Sequence, residues 1–292
     1  MANVLIALLP AAVASVVLFG MRALLILLVS NVACGLFELL WCVFMKKKIT
    51  VVDLSAFVTG TLLALTLPAT MGEWQNLWMV VFGAVIAIIV VKCLFGGIGY
   101  NFANPAITAR IVLLLCFTGP MAATVNTTLA TDAVSGATPL ADIASGNIAA
   151  LPSLFDMLIG NRSGAIGESC TVALLIGGIY LIARRIISWH IPVTYIATVG
   201  LLTLALGQQP LHQLMAGGLI LGAFFMATDY TTSPDTAWGK VIFGLGCGLI
   251  TVLIRVWGSY PEGVSYAILL MNILNPFIIK LTRRKAFGGV KE

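Results

Sequence analysis

The chain has 292 residues, 60% of them hydrophobic and only 9% charged, which excludes an ordinary soluble globule of this length. Sixteen basic residues against eleven acidic ones give a net charge of +5. The Lys and Arg sit between apolar runs, where they read as topology signals and not as a nucleic-acid surface.

In hydrocarbon every backbone N–H and C=O must be satisfied internally, and long apolar runs without strict alternation favour helices over a β-barrel. The sequence therefore predicts an all-α, polytopic membrane protein of about ten spans, in segments 3–20, 22–45, 54–68, 76–95, 103–118, 168–188, 191–207, 212–228, 239–257 and 262–281. Segments 54–68 and 103–118 fall short of the roughly 20 residues a full crossing needs. They stop at Pro68 or start at Asn104-Pro105, which predicts broken or tilted helices. The opening run has no basic start and no small-residue cleavage site, so it reads as a retained helix and not a signal peptide.

With the N-terminus in the cytoplasm, Lys46, Lys47, Lys48, Lys92, Arg110, Arg184, Arg185, Lys240, Lys280, Arg283, Arg284, Lys285 and Lys291 fall inside. Only Arg22, Arg162 and Arg255 fall outside. That bias predicts a multi-pass protein of the cell membrane with both termini cytoplasmic. The expected organisation is a first membrane half at 1–118, an external loop at 119–167, and a second half at 168–292 ending in a short cytoplasmic tail. The loop is far longer than ordinary connections and carries its own apolar stretch at 151–159, so a partly ordered external element is expected.

Glu38 lies inside an apolar segment, where a carboxylate is costly and points to function. Ion handling and a helix-holding ion pair or hydrogen bond both fit. Asp53, beside the basic loop, reads as a capping or snorkelling residue. The internal connections 96–105 and 229–234 each lead to an Asn-Pro or Ser-Pro step, as expected of an N-cap followed by proline, or of a cavity-lining break. Weak likeness between the stretches around 60–110 and 201–240 hints at a duplication.

His190 and His212 each stand alone and read as interfacial polar residues, so no metal site is expected. The six cysteines show no metal-ligand spacing and read as buried thiols. In the long loop, Asp132-Ala133-Val134-Ser135-Gly136-Ala137-Thr138 is a run of small residues that lets a bulky group approach the backbone, with a hydroxyl able to form a phosphoester. By residue type alone it is also an ordinary turn.

Several stretches read together are more specific: Gly35-Leu36-Phe37-Glu38, Phe95 to Ala106 with Asn104-Pro105, Ile166-Gly167-Glu168, Phe225-Met226-Ala227-Thr228-Asp229, Ser233-Pro234 and Tyr260-Pro261-Glu262-Gly263. In order and spacing they resemble the membrane-integral D component of the Rnf ferredoxin:NAD oxidoreductase complexes, and the homologous B component of the sodium-translocating NADH:quinone oxidoreductases. The resemblance covers nearly the whole chain. It implies ten helices in two related halves, akin to urea transporters. It further implies FMN held through its phosphate by Thr138, attached from FAD by a flavin transferase, with Asp132, Ser135, Gly136 and Ala137 around it. Some members of the family also hold riboflavin non-covalently.

On that resemblance the chain is an electron-transfer subunit that acts only with flavin and iron–sulfur partner subunits, coupling electron flow to Na⁺ or H⁺ export. It supplies no catalytic residue of its own. The family's acid at the position of Glu38 is tied to cation uptake. An acid common after Pro-Leu-Ile/Phe is replaced here by Ile279, which leaves Glu38, Asp229 and Glu262 as the ion-pathway candidates. The chain also starts within its first span, without the short segment that usually precedes it. The competing reading is a flavin-free channel or transporter for a small solute, to which broken helices also belong.

Overall fold

Proline and glycine punctuate the apolar runs, and the helices break where they do. The computed structural model describes residues 1–48, 50–125, 127, 137–147, 151–258 and 262–283. The helices are α1 (Ala2–Phe19), α2 (Met21–Phe44), α3 (Ser55–Leu65), α4 (Leu77–Val85, continuing as a π-helix over Ile86–Cys93), α5 (Pro105–Cys116) and α6 (Thr118–Ala122). Then come α7 (Pro139–Ala144), α8 (Leu154–Ile159), α9 (Thr171–Ala183), α10 (His190–Ala205) and α11 (Pro210–Met215). The last are α12 (Leu219–Leu221, continuing as a π-helix over Gly222–Met226), α13 (Ala237–Trp257) and α14 (Val264–Thr282). Among the described residues β pairing is limited to one antiparallel bridge, Pro68 to Ala165.

Each of the ten apolar segments contains helix, which bears out the all-α class. Four of them, α1, α2, α13 and α14, are long and apolar enough to cross a membrane, while α3, α5, α9, α10 and Leu77–Cys93 are shorter apolar helices. The eighth segment is divided: α11 and α12 are separated at Ala216-Gly217-Gly218, where Gly217 takes a φ of +66° that a side chain would disfavour. Outward-facing Leu9, Val13 and Val17 on α1, Leu28 and Val32 on α2, and Leu245, Leu249 and Leu253 on α13 are exposed, an apolar belt suited to lipid.

Asn104 caps α5 as the sequence predicts, its Oδ1 accepting from Ala106 N at 3.0 Å and Ile107 N at 3.4 Å, with Pro105 opening the helix. Ser233-Pro234 does not play the matching part. The helix there starts at Ala237, and Thr236 Oγ1 is the cap, accepting from Gly239 N at 3.1 Å. Ser233 and Pro234 are instead buried in the preceding turn, with Ser233 N donating to Asp229 O at 3.1 Å.

The short helix α3 ends far from where a crossing would, and its last carbonyls need donors. The segment before α9 supplies them: Gly167 N donates to Leu65 O at 2.9 Å and Ile166 N to Leu67 O at 3.0 Å. A Cβ on Gly167 would lie 2.4 Å from Leu65 Cβ, so only glycine lets the two backbones meet. This contact carries the next residue, Glu168, into the interior.

Helices before and after the long loop interlock, α1 against α9 and α5 against α14, while α2 packs on α3 and α13 on both α10 and α14. Gly177 makes the α1–α9 crossing close, since a Cβ there would stand 2.0 Å from Ala7 O. Gly177→Ala is expected to force the two helices apart and to cost about 1–3 kcal/mol, as overpacking does. Thermal unfolding in detergent reads this as a lowered midpoint, and an unchanged midpoint would mean the crossing adjusts freely.

Candidate functional site

Thr138 sits at the N-cap of α7, its Oγ1 accepting from Ala141 N at 3.3 Å, with Pro139 beginning the helix. Among the described residues its hydroxyl donates to no protein acceptor, and the side chain is only half-buried. The carbonyl of Ala137, just before it, accepts a hydrogen bond from Ser163 Oγ. Asp132, Ser135 and Gly136 lie outside the described residues.

Thr138 opens on a small cavity whose wall includes Arg162, Ser163, Gly217, Glu168 and Glu262. Behind it is a cluster of charges. Arg110, 6% exposed on α5, donates from Nη1 to Glu168 Oε1 at 3.3 Å and from Nη2 to Glu262 Oε2. Glu168 is buried, whereas the Glu262 side chain keeps 31% of its surface exposed. Arg162 donates from Nη1 to Met215 O at 2.5 Å and from Nη2 to Glu168 O.

Arg255, on α13, donates from Nη1 to Gln213 O at 2.6 Å and from Nη2 to Ala216 O at 3.0 Å, and among the described residues its buried Nε has no partner. Among the described residues no carboxylate lies within ion-pair distance of Arg162 or Arg255. Burial pushes the Arg162 guanidinium down to about 10, with the charge of Glu168 opposing. Three guanidinium groups against two carboxylates leave the cluster one positive charge in excess.

A second polar group is formed by α2 and the π-helix that continues α4. Glu38 and Lys92, 1% and 2% exposed, form an ion pair with Nζ to Oε2 at 2.8 Å. Thr50 Oγ1 donates to the other carboxylate oxygen at 2.7 Å, and Lys92 Nζ donates to Ser55 Oγ at 2.6 Å. Lys92 and Ser55 also line a cavity of about 80 Å³, shared with Asn101, Asn104 and Asp229, with room for several waters. Asp229 accepts from the hydroxyls of Thr231 at 3.0 Å and Thr232 at 3.4 Å, while the buried Asn101 Oδ1 has no partner among the described residues.

Between these groups runs a seam of amides. Asn104 Nδ2 donates to Met226 O at 3.3 Å. With its amide turned to match its neighbours, Asn272 on α14 donates to Thr232 O at 3.2 Å and accepts from Asn104 N at 3.1 Å. Met226 in turn walls the space around Arg110 and Glu168.

Residues 1–288 match the model of the NQR2, RnfD, RnfE family. The chain belongs to that family. It is 47% identical to the D component of the Na⁺-translocating ferredoxin:NAD⁺ oxidoreductase complex of Acetobacterium woodii, over all of this chain and 91% of that protein. It is 42% identical to the D component of the proton-translocating ferredoxin:NAD⁺ oxidoreductase complex of Clostridium ljungdahlii, over 98% of this chain and 90% of that one. Against the D component of the ion-translocating oxidoreductase complex of Stutzerimonas stutzeri the identity is 37%, over 99% and 91%.

The family resemblance is thus borne out, and the geometry redistributes the residues read from the sequence. Glu38 and Asp229 meet the same polar region, through Lys92 and the cavity it lines, whereas Glu262 belongs to the cluster beside Thr138. Lys92 and Arg110 are corrected: they are not loop cations but interior ones, because each has a carboxylate partner to neutralise it. Arg162, Arg255 and Glu168 were not singled out as site residues. A charge inside an apolar segment is the signal that marks Lys92, Arg110 and Arg255, while Glu168 is legible only in its Ile-Gly-Glu stretch.

Four of the six free thiols, Cys34, Cys42, Cys93 and Cys247, are buried as the sequence predicts, whereas Cys170 is half-buried and Cys116, at the end of α5, is exposed. Among the described residues no three His, Cys, Asp or Glu side chains converge as a metal site.

Removing one partner of a buried ion pair strands the other charge. Lys92→Met is therefore expected to cost about 3–5 kcal/mol, and Lys92→Met with Glu38→Gln to recover most of it. A double-mutant cycle on unfolding midpoints measures the coupling; additive losses would show that the pair contributes little.

Proposed function

We propose that this chain is the membrane-integral, FMN-bearing electron-transfer subunit of an ion-translocating ferredoxin:NAD oxidoreductase complex, with the flavin esterified to Thr138. Similarity to the D components of such complexes, over nearly their full length, supports membership of the complex. The observation that carries the flavin is local: a threonine hydroxyl with no protein acceptor among the described residues opens on a cavity backed by a buried cluster of net positive charge. Those residues fit a phosphate-linked group. Thr138 Oγ would hold the group through a bond to its phosphorus, and with FAD as donor the pyrophosphate bond would break and AMP and the hydroxyl proton would leave. Once bound, the flavin supplies one- and two-electron redox chemistry. The chain's part is to tether it, with Ser163 fixing the Ala137 carbonyl and so the approach of Thr138.

No dinucleotide fingerprint is present in the sequence, so NAD and ferredoxin fall to partner subunits, and the chain is inactive alone. The non-covalent riboflavin implied in some members does not fit the cavity lined by Asn101, Asn104, Phe224 and Phe225, whose volume of about 80 Å³ suits a few waters and not a three-ring isoalloxazine.

Ten crossings with the Thr138 loop outside are supported by the ten helical segments and by the surface charge. Leaving aside the buried Lys92, Arg110, Arg162 and Arg255, the exposed Lys46, Lys47, Lys48, Arg184, Arg185, Lys280 and Arg283 all fall on the cytoplasmic side of that arrangement. Arg22 is left opposite, 46% exposed and paired with Glu73.

Ion coupling is assigned to the polar groups at Glu38 and Asp229, with Glu262 toward the flavin. The relatives from Acetobacterium woodii and Clostridium ljungdahlii are named for different cations, so similarity supports a translocated monovalent cation without choosing Na⁺ or H⁺. A flavin-free solute channel is disfavoured by the interior: where the broken α3 meets the α11–α12 break, Arg110, Glu168 and Arg255 fill the space.

When the chain is made with its flavin transferase, the denatured polypeptide is expected to fluoresce in a gel. Thr138→Ala should lose the signal and Ser135→Ala should keep it. Labelled Thr138→Ala protein would move the attachment site. Glu38→Gln is expected to slow ion-linked electron transfer in vesicles without changing flavin content, and unaltered turnover and ion dependence would make Glu38 structural.

A further inference from the structure

A buried guanidinium is expensive unless an anion or a full set of acceptors meets it. Arg162 is 6% exposed in the turn between α8 and α9 and has two backbone carbonyls as partners, Met215 O and Glu168 O. The carboxylate that belongs to the second of these, Glu168, is committed elsewhere: its Oε1 accepts from Arg110. Arg255 is likewise buried on carbonyl and amide oxygens, with its Nε unpartnered among the described residues.

Arg162 lines the cavity on which Thr138 opens, and the residue next to it, Ser163, holds the Ala137 carbonyl. Thr138 and Arg162, 24 residues apart in the sequence, thereby face one small cavity. The charges fit the same conclusion: Arg110, Arg162 and Arg255 against Glu168 and Glu262 leave +1. A phosphodiester on Thr138 carries one negative charge and brings the sum to zero.

We propose that Arg162 is the positioning residue that holds the phosphodiester at Thr138, and that loading the phosphate completes a charge-balanced interior and so stabilises the folded chain. This rests on the reading of Thr138 as the flavin-bearing residue. Arg162 suits the task because a planar guanidinium meets two phosphate oxygens at once, which an ammonium does not. The Arg110, Glu168 and Glu262 group sets the background charge; alone it is one negative charge in excess, and it accepts a phosphate only because Arg162 and Arg255 are added to it.

The test uses the full-length chain made with and without its flavin transferase. The loaded wild type is expected to melt several degrees above the unloaded one. Arg162→Met is expected to remove that difference and to lower the fluorescent fraction, and Arg162→Lys to restore part of the labelling. Fluorescent wild type, together with an Arg162→Met chain that keeps both its labelling and its melting difference, would overturn the role of Arg162 and leave the flavin on Thr138 standing. A wild type with no covalent flavin would overturn both.

Should the Arg162 variants not fold, Thr138→Ala with its native arginine decides. Free FMN is expected to bind it at least about tenfold more tightly than riboflavin, about 1.4 kcal/mol for the phosphate. Equal affinities would overturn the proposal.

Discussion

Two backbone hydrogen bonds, Gly167 N to Leu65 O and Ile166 N to Leu67 O, decide where the interior of this protein becomes polar. A helix that stops inside hydrocarbon leaves carbonyls with no water to accept from, so the stop is possible only where another segment brings donors. The donor segment brings Glu168 with it, and Glu168 brings Arg110. The break in α3, the glycine at 167 and the charged cluster beside Thr138 are thus one construction, and a side chain at 167 would undo all three.

The same logic of mutual neutralisation operates at the two polar regions, with different results. Glu38 and Lys92 cancel each other, and Thr50 and Ser55 complete their hydrogen bonds, so that group is closed on itself. The group near Thr138 is open: its acids are used up by Arg110, and two further guanidinium groups rest on neutral oxygens. A closed pair resists change, whereas an unbalanced cluster responds to an arriving anion. The amides of Asn104 and Asn272 lie between the two, and they bridge the gap without adding charge.

Much of the fold is legible in the sequence because hydrocarbon is an unforgiving solvent: each of the ten apolar runs contains helix, and Asn104-Pro105 announces its own cap. What fails is instructive. Ser233-Pro234 has the same local grammar, yet the turn around Asp229 consumes both residues and Thr236 takes over the cap. Lys92 and Arg110 are misread as loop charges because a hydropathy window weighs a residue by its neighbours in the chain, while what allows them inside is a carboxylate 54 or 58 residues away. Thr138 is legible as a special residue through its family motif, but its arginines come from α5, from the turn before α9 and from α13, and no short stretch contains them.

The close crossing of α1 with α9 also has a bearing on how the protein is made. Helix α1 ends at Phe19 and its partner begins at Thr171, so 152 residues separate their emergence from the ribosome. At about 5–20 residues per second that is a wait of roughly 8–30 s. During that interval Ala7 has no Gly177 to close upon, and α2 and α3 are the main helices packed on α1. The groove that α9 will occupy must therefore stay open in a half-built membrane protein, and small residues such as Ala7 and Ala11 keep it shallow enough for lipid chains to fill and then leave.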